Sequence, residues 1–295
     1  MFKMIPKTFE KYYSAQTEKI LTYYNLANKL CDVEGIHEIR VEIKRLRAFF
    51  NLAEWINPDF KKKKNFSKIR NLFKSAGRVR DIHVQQELTI AWMKKADLEI
   101  SEYYNYLKQQ ELKKQSQFSK ACNRFRTDEF EKNWHIIRDS LNILPENYIQ
   151  FKSDERLHFL LENLIHYREK TGFIGDDYHK IRILSKETRY TLEILQTCYP
   201  EISKFDVLNS KLRDLHRALG KWHDIEVGLF SIKDFIENYS AQSFFNRNSY
   251  DQFIQNLEQD KKKWLSKFEE HWKEFNEFLN HKDTLNFYET KFSAN

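Results

Sequence analysis

The feature that most constrains this chain is an internal duplication of basic, helix-patterned sequence. His37–Arg47 aligns with His179–Arg189 at an offset of 142, and five of the 11 positions are identical. Four of those five are cationic or imidazole side chains. Lys68–Val84 then aligns with Lys211–Val227 at an offset of 143, one inserted residue accounting for the change. Self-similarity at a long, fixed period indicates one supersecondary unit used twice. The unit reads as helix, basic helix, basic helix with a Gly-x-x-x-Asp break, and closing helix. Two related bundles follow, residues 1–127 and 150–295, joined by a connecting segment 128–149 that contains Pro145.

Only six glycines and four prolines punctuate 295 residues, which favours long helices over turn-rich sheet. Apolar spacing predicts helices near 7–31, 35–56, 62–77, 81–96, 98–126, 154–170, 177–198, 204–220, 224–239 and 247–281. Pro58 and Pro200, which share the first repeat offset, close two of them, and Gly35 and the stretch Gly172–Gly175 mark loops before two others. The expected fold class is all-α. Three cysteines, Cys31, Cys122 and Cys198, form neither a disulfide framework nor a CxxC site and fit a reducing, cytoplasmic compartment. The N-terminal Met1-Phe2-Lys3-Met4-Ile5-Pro6 lacks a continuous apolar segment, and no run approaches 18 apolar residues, so neither secretion nor membrane spanning is expected.

Fifty Lys+Arg against 43 Asp+Glu give a net charge of +7, which identifies no partner until its clustering is known. Ile36, Ile39, Ile43, Leu46 and Phe50 follow the spacing of a buried stripe. His37, Arg40, Lys44 and Arg47 run one residue out of phase with it, about 100° around the helix. The second copy repeats this with His179, Arg182, Lys186 and Arg189 beside Ile181, Leu184, Thr188, Leu192 and Leu195. A further stripe, Arg70, Lys74 and Arg78, has Arg213, Arg217 and Lys221 as its repeat partners.

A basic run on a helix is ordinarily a solvated face, and like charges at i,i+4 are mildly unfavourable. Retention of the same types at the same spacings in two divergent copies argues instead for a surface facing repeated negative charge, with both histidines turned toward the anion. Asp81 and Asp224, four residues after Gly77 and Gly220, read as caps ordering a helix break. The Lys61–Lys64 and Lys261–Lys263 runs have no repeat partners and read as solvated charge, and the 24 Phe and six Trp read mostly as packing residues.

These motifs, His37-x-x-Arg40-x-x-x-Lys44-Arg45-Leu46-Arg47 with Gly77-x-x-Arg80-Asp81, and His179-x-x-Arg182-x-x-x-Lys186-x-x-Arg189-Tyr190 with Leu219-Gly220-x-x-x-Asp224, resemble the CHAD domain, the conserved histidine α-helical domain. The resemblance spans nearly the whole chain. It implies two four-helix-bundle-like repeats related by a pseudo-twofold, with a basic groove or pore that binds inorganic polyphosphate. Carried over by position, the binding residues are His37, Arg40, Lys44, Arg47, Arg78 and Arg80 with His179, Arg182, Lys186, Arg189, Lys221 and His223. Arg45, whose repeat partner is Glu187, joins them. Departures from the family pattern are Ser75-Ala76-Gly77, where Leu-Gly is usual, and Trp222-His223 in place of a basic pair. Association with polyphosphate granules, in storage, targeting or regulation, is the role such binding suggests.

Two other functions compete. His223-Asp224 mimics the dyad of helical metal-dependent phosphohydrolases, but its repeat counterpart is Arg80-Asp81, a poor metal-ligand pair. Nucleic acid would also satisfy a cationic groove by counterion release, though no recognition motif or base-stacking platform is present. The sequence therefore reads as a binding module rather than an enzyme, with no cofactor or metal implied.

Overall fold

The computed structural model describes residues 7–167, 172–199, 205–239 and 246–280. Among these the chain is entirely helical: α1 (Lys7–Leu30), α2 (Val33–Ile56), α3 (Lys62–Asn65), α4 (Ser67–Ala96), α5 (Ser101–Arg124), α6 (Asp128–Asn142), α7 (Glu146–Ile165), α8 (Gly175–Cys198), α9 (Asp206–Tyr239) and α10 (Arg247–Asn280). Pro200, the N-terminal residues 1–6, and the predicted helix ends at 168–170, 204 and 281 lie outside the described residues.

Local chemistry sets the ends of the helices that matter most. The Asp32 carboxylate accepts from the Gly35 amide at 2.6 Å, capping α2 with a negative charge at the positive end of its dipole. That helix stops at Ile56 because Asn57 precedes Pro58 and is extended, at φ −128 and ψ 102. At the start of α8, Asp177 accepts from the Ile174 amide at 3.0 Å.

Two expectations about the elements are corrected. Gly77 and Gly220 do not break their helices; α4 and α9 run through them, so 62–77 and 81–96 are not separate helices, nor are 204–220 and 224–239. A single helix-interior glycine costs only about 1 kcal/mol, less than the packing it would forfeit by breaking the rod. Asp81 and Asp224 are consequently mid-helix residues, not caps. The connecting segment 128–149 is itself helical, holding α6 and the start of α7. Phe130, Trp134, Ile137 and Leu141 line one buried face of α6, and Asp128, Glu129 and Glu131 complement the dipole in its first turn.

Buried apolar side chains form two clusters. The larger runs from Phe9 to Leu279 and includes residues of α1, α2 and α4 through α10. The smaller joins Trp92 and Tyr103 to Ile225, Phe235 and Tyr250 where α4, α5, α9 and α10 meet. Both draw on both halves of the sequence. Helix α2 packs against α1, α4, α7 and α8, while α9 packs against α8, α10 and α4. The four helices bearing the duplicated basic motifs thereby surround one space. Among the described residues, no helix is long and apolar enough to cross a membrane.

Candidate functional site

That space is a cleft of about 630 Å³ between α2, α4, α8 and α9. The out-of-phase stripes explain it: when Ile39, Ile43 and Leu46 turn into the core, the next face of α2 presents His37, Arg40, Lys44 and Arg47 to the cleft. Helix α8 contributes Arg182 and Lys186, α4 contributes Arg80, and α9 contributes His223. Eight sequence-predicted residues thus line one cavity.

The other nine lie elsewhere. Arg45 bonds Glu42 at 2.5 Å and Glu193 at 3.2 Å, and Arg189 reaches the same Glu193 at 3.3 Å while stacking on Tyr190. Arg45 thus ties the repeats together through Glu193, the one carboxylate it shares with Arg189. Lys74 and Arg78 line a separate, shallower pocket between α4 and α5, with Lys68, Lys120 and Arg124. At 100° per residue they leave α4 roughly opposite Arg80, so a stripe at i, i+4 could not share its face. Arg70, Arg213 and Lys221 are exposed outside both cavities, and Arg217 pairs with Asp214. His179 is exposed beyond the cleft lining, its ring 5.8 Å from that of His223.

The cleft also holds residues that sequence reasoning passed over. Asp81 and Asp224 face it instead of capping helices, and Lys62 lines it with Nζ 2.7 Å from Asn51 Oδ1, so this member of the Lys61–Lys64 run is not mere solvated charge. His216, the repeat partner of Phe73, lines the same cleft. The 143 offset already paired those two rings, and the substitution of an imidazole for a phenyl was the available signal.

Seven Lys and Arg side chains face three carboxylates in this cavity. One of the three, Glu187, is already engaged by Arg156 and Asn51. Among the described residues, Lys44, Arg47, Arg182 and Lys186 have no carboxylate within 4.0 Å, and the buried Arg182 Nε has no hydrogen-bond partner. Burial, then the like charges of Arg40, Arg182 and Arg47, push Lys44 down to about 8. Lys186 falls to about 7 through burial and the charges of Lys44, Arg47 and Arg182. Burial together with neighbouring cations holds His216 at about 3 and His223 at about 4, so both are neutral near pH 7. His37 is lowered chiefly by burial and Arg80, whereas burial raises Asp224 against the pull of Lys221 and Arg182. Three cleft cations are engaged by the protein itself: Arg80 pairs with Glu87 at 2.8 Å, Lys62 reaches Glu54 at 4.0 Å, and the Arg40 guanidinium covers the Phe73 ring at 4.9 Å and lies 3.9 Å from Asp81.

Such a cavity can hold an array of oxyanions: it offers unpaired donors in a fixed geometry, and its own cations repel one another until an anion enters. Among the described residues no group of three or more His, Cys, Asp or Glu is close enough to hold a metal ion.

Residues 11–233 match the family model for the CHAD domain. The fold is similar to the crystal structure of the CHAD domain from the plant Ricinus communis, at a TM-score of 0.68 and 15% identity over 92% of this chain and 93% of that one. It is also similar to PptA from Streptomyces chartreusis, at a TM-score of 0.65 and 13% identity over 92% of this chain and 99% of that one. Comparison with curated proteins gives no match.

Proposed function

Because the chain belongs to the CHAD domain family, we propose that the cleft between α2, α4, α8 and α9 binds inorganic polyphosphate. The observation that carries this reading is the convergence of Lys44, Arg47, Arg182 and Lys186, two from each repeat, without carboxylate partners among the described residues. A linear chain with about one negative charge per phosphate supplies the missing counter-charge along the cavity. Each charge-assisted hydrogen bond contributes roughly 1.5–3 kcal/mol. No base-reading or stacking contact is needed, which separates this ligand from nucleic acid. The function is binding, with the three cysteines as free thiols in a reducing cytoplasm and association with polyphosphate granules as the cellular role.

The test is affinity for polyphosphate across a salt series, with single-stranded and duplex nucleic acid as competitors and chelator as control. The parent protein should bind in a steeply salt-dependent, chelator-insensitive way. Arg182→Ala combined with Lys186→Ala should flatten the slope of log K against log salt by roughly 0.7 per cation removed. Unchanged affinity in a normally helical double variant would sink the proposal, as would equal displacement by nucleic acid of the same charge.

A further inference from the structure

The two halves of the cleft are not equivalent, although the repeat supplies both with Arg and Lys at matching positions. In the first half Arg40 is employed by the protein itself. Its guanidinium stacks on Phe73, Nη1 lies 3.5 Å from the Phe73 carbonyl oxygen, and Nη2 approaches Asp81. The same group fills the space over Gly77, where an added Cβ would come 2.1 Å from Arg40 Nη1. Every one of these features differs in the second half. His216 replaces Phe73, and among the described residues Arg182 has no carboxylate within 4.0 Å and its buried Nε lacks a partner. The space over Gly220 is open: among the described residues, no atom beyond its own stretch of α9 backbone lies within 4 Å of an added Cβ.

A glycine in a helix interior is destabilising relative to alanine, so its position calls for a reason. At 77 the reason is the Arg40 guanidinium. At 220 no protein atom supplies one, and the open space belongs to the cleft. A glycine there lets a ligand approach the α9 backbone closely.

We propose that the second half of the cleft is a dedicated phosphoryl subsite over Gly220, where Arg182, Lys186 and His216 hold one phosphoryl group of an inorganic oligophosphate and Lys44 contributes from the first repeat. Arg40 forms the opposite, internally braced wall. This assignment rests on the polyphosphate reading of the cleft. Arg182 offers its two terminal nitrogens as a planar pair of donors matched to two phosphoryl oxygens. Neutral His216 donates one ring N–H. A dianionic phosphoryl group also relieves the repulsion between Lys44 and Lys186, so the subsite prefers it to a monoanion.

Titration calorimetry on the full chain, with sodium tripolyphosphate as the short probe and long-chain polyphosphate as the long one, distinguishes the alternatives. Gly220→Ala should raise the melting temperature by roughly 2 °C, showing that the helix tolerates a side chain there. Gly220→Leu fills the space and should lower tripolyphosphate affinity at least about tenfold without loss of helicity. His216→Phe, which restores the first-repeat residue, should weaken the short probe several-fold, and it decides the matter if Gly220→Leu fails to fold. Arg182→Ala should cost more tripolyphosphate affinity than Arg40→Ala. Parent-like binding in both Gly220→Leu and His216→Phe, or equal losses in the two arginine variants, overturns the subsite while long-chain binding stands. Failure of the parent protein to bind even the long chain removes the polyphosphate reading itself, and the subsite with it.

Discussion

Lys44 and Lys186 occupy matching positions in the two repeats and face the same cavity, so folding brings their charges together. Lys186 has the ordinary lysine value of 10.5 when unfolded and titrates at about 7 in the fold. Between those values the unfolded chain binds more protons, so stability should rise with pH from about 7 to 10.5 and level off above. His216 and His223, held at about 3 and 4, act at the acid end: the unfolded imidazoles take protons below about 6.5, and stability falls as pH drops toward 4. Melting curves at low salt should therefore climb through both windows. Lys186→Met should flatten the segment between pH 7 and 10, where the facing groups are Lys44, Arg40, Arg47 and Arg182 with Asp224 and Glu187. A variant profile parallel to the parent's would assign that slope to another group. Bound polyanion lets Lys186 keep its proton, so complex formation near pH 7–8 should be accompanied by proton uptake.

At the level of elements, α6 offers the cleanest test of what the sequence conceals. Leu141 is fully buried, and Leu141→Ala should cost about 2–5 kcal/mol. Ile143, two residues on and 75% exposed, should tolerate alanine within about 0.5 kcal/mol. Comparable losses at both positions in chemical denaturation would refute this account of the helix. Phe130, Trp134, Ile137 and Leu141 have helical spacing, but the weaker periodicity around Pro145 leaves this connecting segment without a predicted helix. Legibility elsewhere followed periodicity. The α2 and α8 faces were readable because the cationic stripe keeps a constant one-residue offset from the core stripe, and Pro58 marked a true end. The Gly-x-x-x-Asp pattern misled because a local turn signal was overridden by packing: Gly77 makes room for Arg40 and Asp81 faces it, contacts 33 residues or more apart that no local rule supplies. Arg70, Lys74 and Arg78 were grouped by charge and spacing alone, which fix a helix face but not its neighbours.

Across the whole molecule, the cleft is a property of no single segment: its walls run from His37 to Asp224, and Arg45, Glu193 and Arg189 link the two repeats behind it. The large apolar cluster is shared in the same way. This architecture has a kinetic consequence. Pairing four helices whose cationic faces repel one another favours formation of the apolar contacts beneath before the charged faces meet, so the cavity is expected to close after the rate-limiting step of folding. A ligand that recognises only the closed cavity stabilises the native state by mass action and leaves the transition state untouched. Polyphosphate should then slow unfolding in proportion to occupancy while leaving the refolding rate near its value in buffer. Stopped-flow chevrons with and without the polyanion read this directly, and a refolding limb accelerated as much as the unfolding limb is slowed would place the cavity in the folding nucleus. On the proposed function, the protein's lifetime against unfolding would become a measure of the polyanion around it.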